Sequence, residues 1–109
     1  MSVKVFLIGV LAIASVLPVY GKSYEIVLDT PVYAGKVQLM PGAYYVKARN
    51  GEAVFTKVSS GATYSVPAKI ETLGMKNPTT NVYLSHKNGQ ARIDWIQLGG
   101  KATDLRFGG

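Results

Sequence analysis

The chain has no cysteine and one histidine, His86, in 109 residues. The first absence excludes disulfides, thiolate metal sites and lipid attachment to a cysteine. With one imidazole and six scattered carboxylates, a transition-metal site lacks its ligands. Acidic side chains are few: six stand against twelve basic ones, a formal net charge of +6. No two of the six sit at a spacing that signals acid–base hydrolysis. Gly99-Gly100 is not a phosphate loop, because no helix follows it. Nothing in the sequence calls for a cofactor. Long apolar runs are absent after Leu17, and no window after Pro18 sustains a helical period.

What is present begins with an export signal. Met1-Ser2-Val3-Lys4 carries one positive charge, and every residue from Val5 to Leu17 is apolar or small. Pro18 ends the run, and Val19-Tyr20-Gly21 supplies the small residues of a cleavage site. The run is short of the roughly 20 apolar residues that span a bilayer. A helix apolar on every side also suits the core of so small a domain poorly. The layout predicts a signal-peptide helix over residues 1–21, cleaved after Gly21, and a single domain over residues 22–109. That domain is expected to be secreted or periplasmic, with no transmembrane anchor. Loss of Lys4 lowers the formal net charge from +6 to +5. A chain of this length buries roughly 60–65% of its unfolded surface. Without disulfides, its stability must come from β pairing and an aliphatic–aromatic core, or from a partner.

The remainder reads as strands: short runs rich in Val, Ile, Tyr, Thr and Phe, punctuated by Gly, Pro and Asn-Gly. A first strand covers Ser23–Leu28, and a second run covers Val32–Leu39 with a bend at Gly35. Pro41-Gly42 signals a turn. Ala43–Arg49 and Glu52–Val58 flank Asn50-Gly51, the strongest short-range hairpin signal. Pairing Arg49 with Glu52 puts Tyr44, Val46, Ala48, Ala53 and Phe55 on an apolar face. Tyr45, Lys47, Arg49, Glu52, Val54 and Thr56 fall on the other, with Arg49 and Glu52 as opposite charges across the strands. Ala62–Leu73 follows, confined by Pro67 to an edge or a bulge, and residues 74–80 read as a loop. A second hairpin, Asn81–Lys87 and Gln90–Leu98, closes on Asn88-Gly89. Pairing Lys87 with Gln90 aligns Val82, Leu84, His86, Ala91, Ile93 and Trp95 on the apolar face. Ile96 and Leu98 break parity with Trp95, so either a bulge flips the facing or both sides are buried. Asp104–Phe107 makes the last strand. The sum is an all-β, antiparallel β-sandwich of seven or eight short strands.

Leu39-Met40-Pro41-Gly42-Ala43-Tyr44-Tyr45-Val46, an Asn-Gly hairpin and a late Leu98-Gly99-Gly100 resemble an uncharacterised group of short exported bacterial all-β proteins. That group shares a signal peptide, a Leu-x-x-Gly-x-Tyr-x-Val strand entry and a Leu-Gly-Gly turn before a final strand. The resemblance covers nearly all of the chain after the signal. It implies a fold and a compartment, and carries over no functional residue.

Three candidates for function remain. Tyr45, Lys47 and Arg49 sit together on the outer face of the first hairpin. Interleaved bases and aromatics suit single-stranded nucleic acid, but export excludes that partner. An anionic polysaccharide, an envelope surface or an acidic protein partner fits instead. On the second hairpin, Tyr83, Ser85, Arg92 and Asp94 share a polar face, with Tyr83 expected opposite Asp94. This cluster suits a small polar group or, at its plainest, is a solvated face with a weak ion pair. His86 and Ser85 are adjacent, so they point to opposite faces and form no nucleophile–base pair. Open strand edges allow a homodimer or strand addition. The expected function is therefore a non-enzymatic interaction or structural module. A carbohydrate-binding module using Tyr45, Tyr83 or Trp95 is one alternative, and a small hydrolase at Asp94, paired with Asp104 if the last strand folds back, is another.

Overall fold

A computed structural model describes residues 23–108. The expected signal segment, residues 1–21, lies outside the described residues. Those described are all β, with ten strands and no helix. One sheet holds four antiparallel strands in the order β1 (Tyr24–Leu28), β4 (Gly42–Arg49), β5 (Glu52–Lys57) and β6 (Thr63–Pro67). The other is built around β9 (Gln90–Gln97). Along one edge β9 pairs with β8 (Asn81–Lys87) over the full length of β8. Its other edge is shared: β2 (Val32–Ala34) meets it at Arg92, and β10 (Thr103–Arg106) runs beside Trp95–Gln97. β3 (Val37–Leu39) flanks β2, and β7 (Lys69–Thr72) flanks β10.

The two sheets bury their facing sides in one core. Tyr24, Ile26, Leu28, Tyr44, Val46, Ala53, Phe55 and Val66 come from the first sheet. Val32, Ala34, Leu39, Ile93, Ile96 and Leu105 come from the second. Phe55 is fully buried between the Tyr44 ring, edge-on at 6.4 Å, and the Phe107 ring at 6.0 Å. The period-two pattern of β4 and β5 explains this. Arg49 stands opposite Glu52 as the Asn-Gly turn requires, and every second residue then faces inward. Asn50 and Asn88 both take positive φ, 36° and 53°, as a type I′ turn demands.

The structure corrects the sequence reading at four points. Val32–Leu39 is not one bent strand but a tight hairpin, β2–β3, reversed at Gly35 with φ of 59°. The run after Ala62 divides at Ala68, whose N–H donates to the Gly51 carbonyl while the chain crosses from one sheet to the other. Hence there are ten strands rather than seven or eight. The pairing is also not wholly antiparallel, since β2 runs parallel to β9 at Tyr33–Arg92. Finally, Trp95 is not on the apolar face, because, of the two alternatives open at Ile96 and Leu98, the chain takes the bulge: Leu84 faces Ile93, but the next pair is Tyr83 with Trp95, leaving Asp94 as the extra residue. The bulge sends Ile93 and Ile96 into the core and turns Trp95 outward.

The segment read as a loop holds a buried anchor. The Asn77 side-chain nitrogen lies 3.0–3.3 Å from the carbonyls of Leu98, Lys101 and Thr103 and from Oδ1 of Asp104. Its two hydrogens are shared among four acceptors, in a site where Asn77 and Asp104 are both buried. Beside it, a Cβ on Gly99 would come within 2.8 Å of the Thr80 backbone nitrogen, so this position admits no side chain. Gly100 follows with φ of 79°, the left-handed region that glycine enters freely.

Candidate functional site

The six residues singled out by sequence divide between the two outer faces. Tyr45, Lys47 and Arg49 share the outer face of the first sheet, opposite Thr56, Val54 and Glu52 in register. Tyr45 and Arg49 are exposed and Lys47 is half-buried. Val54, beside Lys47 and Ser65, is buried on this outer side. Arg49 and Glu52 are register partners but form no ion pair; among the described residues that contact is made only by Arg106 and Glu71. Tyr83, Arg92 and Asp94 belong to the second sheet, so no single surface gathers all six.

The polar cluster on the second hairpin is taken apart by the bulge. Asp94 accepts a hydrogen bond from the Ser85 hydroxyl at 2.9 Å. Arg92 turns away, donating to the Gly35 carbonyl at 2.8 Å with its guanidinium 5.7 Å from the Tyr33 ring. It thereby ties the β2–β3 turn to β9. Tyr83 is opposite Trp95, not Asp94 as expected, because the extra residue shifts the register by one.

That shift assembles a row which the sequence reading did not contain. On the outer face, cross-strand register aligns Tyr83, Trp95 and Arg106 on β8, β9 and β10. The Tyr83 and Trp95 rings stack with centroids 4.4 Å apart and planes 19° from parallel. The Arg106 guanidinium lies 4.7 Å from the Trp95 centroid, and its Nε donates to Glu71 Oε1 at 2.8 Å. The Tyr83 hydroxyl donates to Gln97 Oε1 at 3.1 Å. Because β8 and β10 occupy opposite edges of β9, Tyr83 and Arg106 flank the indole from opposite sides. Trp95 therefore presents its edge, while Tyr83, 38% exposed, keeps its outward face free. Each contact is modest: about 0.5–1.5 kcal/mol for the aromatic pair, about 0.5–1 kcal/mol for the cation over the ring and at most about 1 kcal/mol for the half-exposed ion pair. Together they hold four side chains in one arrangement on a rigid sheet. The parity break at Ile96 and Leu98 was the signal that Trp95 faces outward; the partnership with Arg106 and Glu71 had no local signature.

Two clefts lie away from this row. One, of about 300 Å³, opens between the sheets and is lined by Lys47, Lys101, Tyr24, Ala48, Ile70 and Leu98 among others. The other, of about 360 Å³, lies where β2 and the start of β9 diverge, with His86, Tyr33, Gln38 and Gln90 in its wall. No cluster of three or more metal-ligating side chains occurs among the described residues, and no helix there is long and apolar enough to cross a membrane. No family model, no curated protein and no solved structure matches the chain.

Proposed function

We propose that the chain is an exported, non-enzymatic binding module: a β-sandwich that presents the outer face of its second sheet to an envelope or extracellular partner. One observation carries this reading, the Tyr83–Trp95–Arg106–Glu71 row. An exposed tyrosine, a tryptophan edge and a guanidinium are fixed relative to one another before any partner arrives, which lowers the ordering cost of binding. The partner class is an anionic polysaccharide. The net charge of +5 after signal removal draws it in, and the free face of Tyr83 offers its rings an apolar contact. Lys69, opposite Arg106 in register, adds positive charge to the same face.

The test is co-sedimentation of the protein, residues 22–109, with envelope and polysaccharide fractions at low and high salt. Retention should weaken at high salt, and Tyr83→Ala and Arg106→Ala should each lower it several-fold. No retention at either salt would sink the proposal. Retention unchanged by either substitution but lost in Lys47→Ala or Arg49→Ala would move the site to the first sheet. Retention that survives salt and depends on Tyr83 alone would favour a neutral carbohydrate ligand, the reading that the stacked pair supports next. A hydrolase at Asp94 has the least support. The last strand does fold back beside β9, but Asp94 is engaged by Ser85 and Asp104 by Asn77.

A further inference from the structure

An edge strand offers unpaired backbone N–H and C=O groups to any chain able to align with them, and folded proteins blunt such edges with shortness, proline, charge or bulges. The molecule has five strands at open edges, and four are blunted. β3 has three residues, and β7 has four with Lys69 and Glu71 among them. β6 ends on Pro67, and β1 carries Glu25. β8 differs. It runs seven residues, Asn81–Lys87, without proline, and its only formal charge is at the last position. The bulge of the hairpin lies on β9, so β8 itself keeps a regular backbone. It also exposes large apolar side chains on both sides, Tyr83 outward at 38% and Leu84 on the core-facing side at 43%.

We infer that β8 pairs with β8 of a second copy of this chain, joining the two second sheets into one across a twofold axis. The register follows from geometry. Directly opposed residues in an antiparallel pair have side chains on one side of the sheet. If the two outer faces stay on the same side, Leu84 meets an inward residue and Tyr83 an outward one. The alignment that overlaps all seven residues places Leu84 against Leu84, Tyr83 against Ser85, Val82 against His86 and Asn81 against Lys87. Such a contact is self-complementary, as twofold symmetry requires. The two Leu84 side chains cover each other at the axis. The two Lys87 ammonium groups fall at opposite ends of the paired segment, roughly 20 Å apart at about 3.3 Å per residue, so no like charges oppose. A second copy meets the exposed Leu84 with another leucine by symmetry alone, whereas a different extended peptide must carry an apolar residue at that one position. Of the binding row described above, only Tyr83 lies on the paired strand, where it faces Ser85 of the second copy; Trp95, Arg106 and Glu71 stand on β9, β10 and β7.

Sedimentation of residues 22–109 tests the inference. An interface of this size is weak, so the range must reach about 1 mM. The average mass should rise toward twice the monomer value with concentration. Leu84→Lys, which sets two ammonium groups face to face at the axis on an already exposed site, should abolish that rise without changing the far-ultraviolet circular dichroism. Val27→Lys, on the exposed side of β1, should leave it intact. A wild type that remains monomeric throughout overturns the inference, as does a dimer that survives Leu84→Lys or is lost in Val27→Lys.

Discussion

The two Asn-Gly hairpins begin alike and end differently. In both, an asparagine and a glycine at positive φ reverse the chain, and the residues flanking the turn pair as the turn dictates. The first, β4–β5, stays in register along its length. It is paired on both edges, by β1 and β6, and its inward residues Tyr44, Val46, Ala53 and Phe55 are buried to 1% exposure or less. The second, β8–β9, loses register after Leu84, has a free outer edge and exposes Leu84 on its inward side. Turn chemistry therefore specifies that a hairpin forms and where it starts, while its neighbours decide how much it buries. The regular hairpin is the centre of the core, and the irregular one carries the outward-facing chemistry.

The largest expected effect breaks that contrast at its strong end. Phe55→Ala should cost about 3–5 kcal/mol in denaturant unfolding, because the side chain is fully buried between two rings. Leu84→Ala, the same kind of change in the other hairpin, should stay within about 1 kcal/mol. Next in size is Asn77→Ala, expected to cost about 2–3 kcal/mol, since three carbonyls and the buried Asp104 lose their shared donor. Deleting Asp94 should cost about 1–2 kcal/mol. It removes the extra residue and leaves Tyr83 opposite Trp95, so tryptophan fluorescence should keep the emission of the half-buried ring. A blue-shifted, buried emission would show that the bulge does not set the facing. Smaller still is the coupling of Trp95 and Arg106, about 0.5–1 kcal/mol in a double-mutant cycle on stability.

Alkaline pH gives the finest comparison. Burial raises the phenol pKa of Tyr24 and of Tyr44 above the usual 10.0, and for Tyr44 the nearby Tyr64 adds to the rise. Above pH 10 the unfolded chain releases these protons while the folded chain keeps them. Their contribution to stability is therefore full below pH 10 and is lost as pH climbs through the raised values. Absorbance titration should find two tyrosines ionising later than the rest, and unfolding should become easier above pH 10.

Local patterns carried the strands and both hairpin starts, because period-two alternation and Asn-Gly turns act between near neighbours. Arg49–Glu52 and Lys87–Gln90 were readable in this way. Trp95 was placed inward by carrying period two along β9; the parity break at Ile96 and Leu98 already offered a bulge, but only tertiary packing selects it over burial of both sides. The grip of Asn77 joins residues more than twenty positions apart, and in sequence an Asn-Pro pair looks like ordinary turn punctuation. Sheet order was illegible for the same reason, since nothing near Val32 announces a parallel partner at Arg92. The site followed suit. Tyr83 was visible as an outward aromatic, but the residues that surround it arrive from three different strands.

The shared edge of β9 has a consequence for the order in which the molecule can be built. The first sheet needs only residues 24–67, joined largely by contacts between successive strands. The β2–β3 hairpin lies within that stretch yet belongs to the other sheet, and its place there exists only once residues 90–97 are available. Such long-range pairing is slow, because chain closure must precede the contacts that reward it. A chain cut near Gly74 would hold Phe55 and Val46 over an uncovered apolar floor, with Val32, Ala34 and Leu39 waiting for a strand that never comes. Assembly of the core is thus gated by the C-terminal quarter of the chain, and premature termination yields a sticky half-sheet rather than a smaller domain.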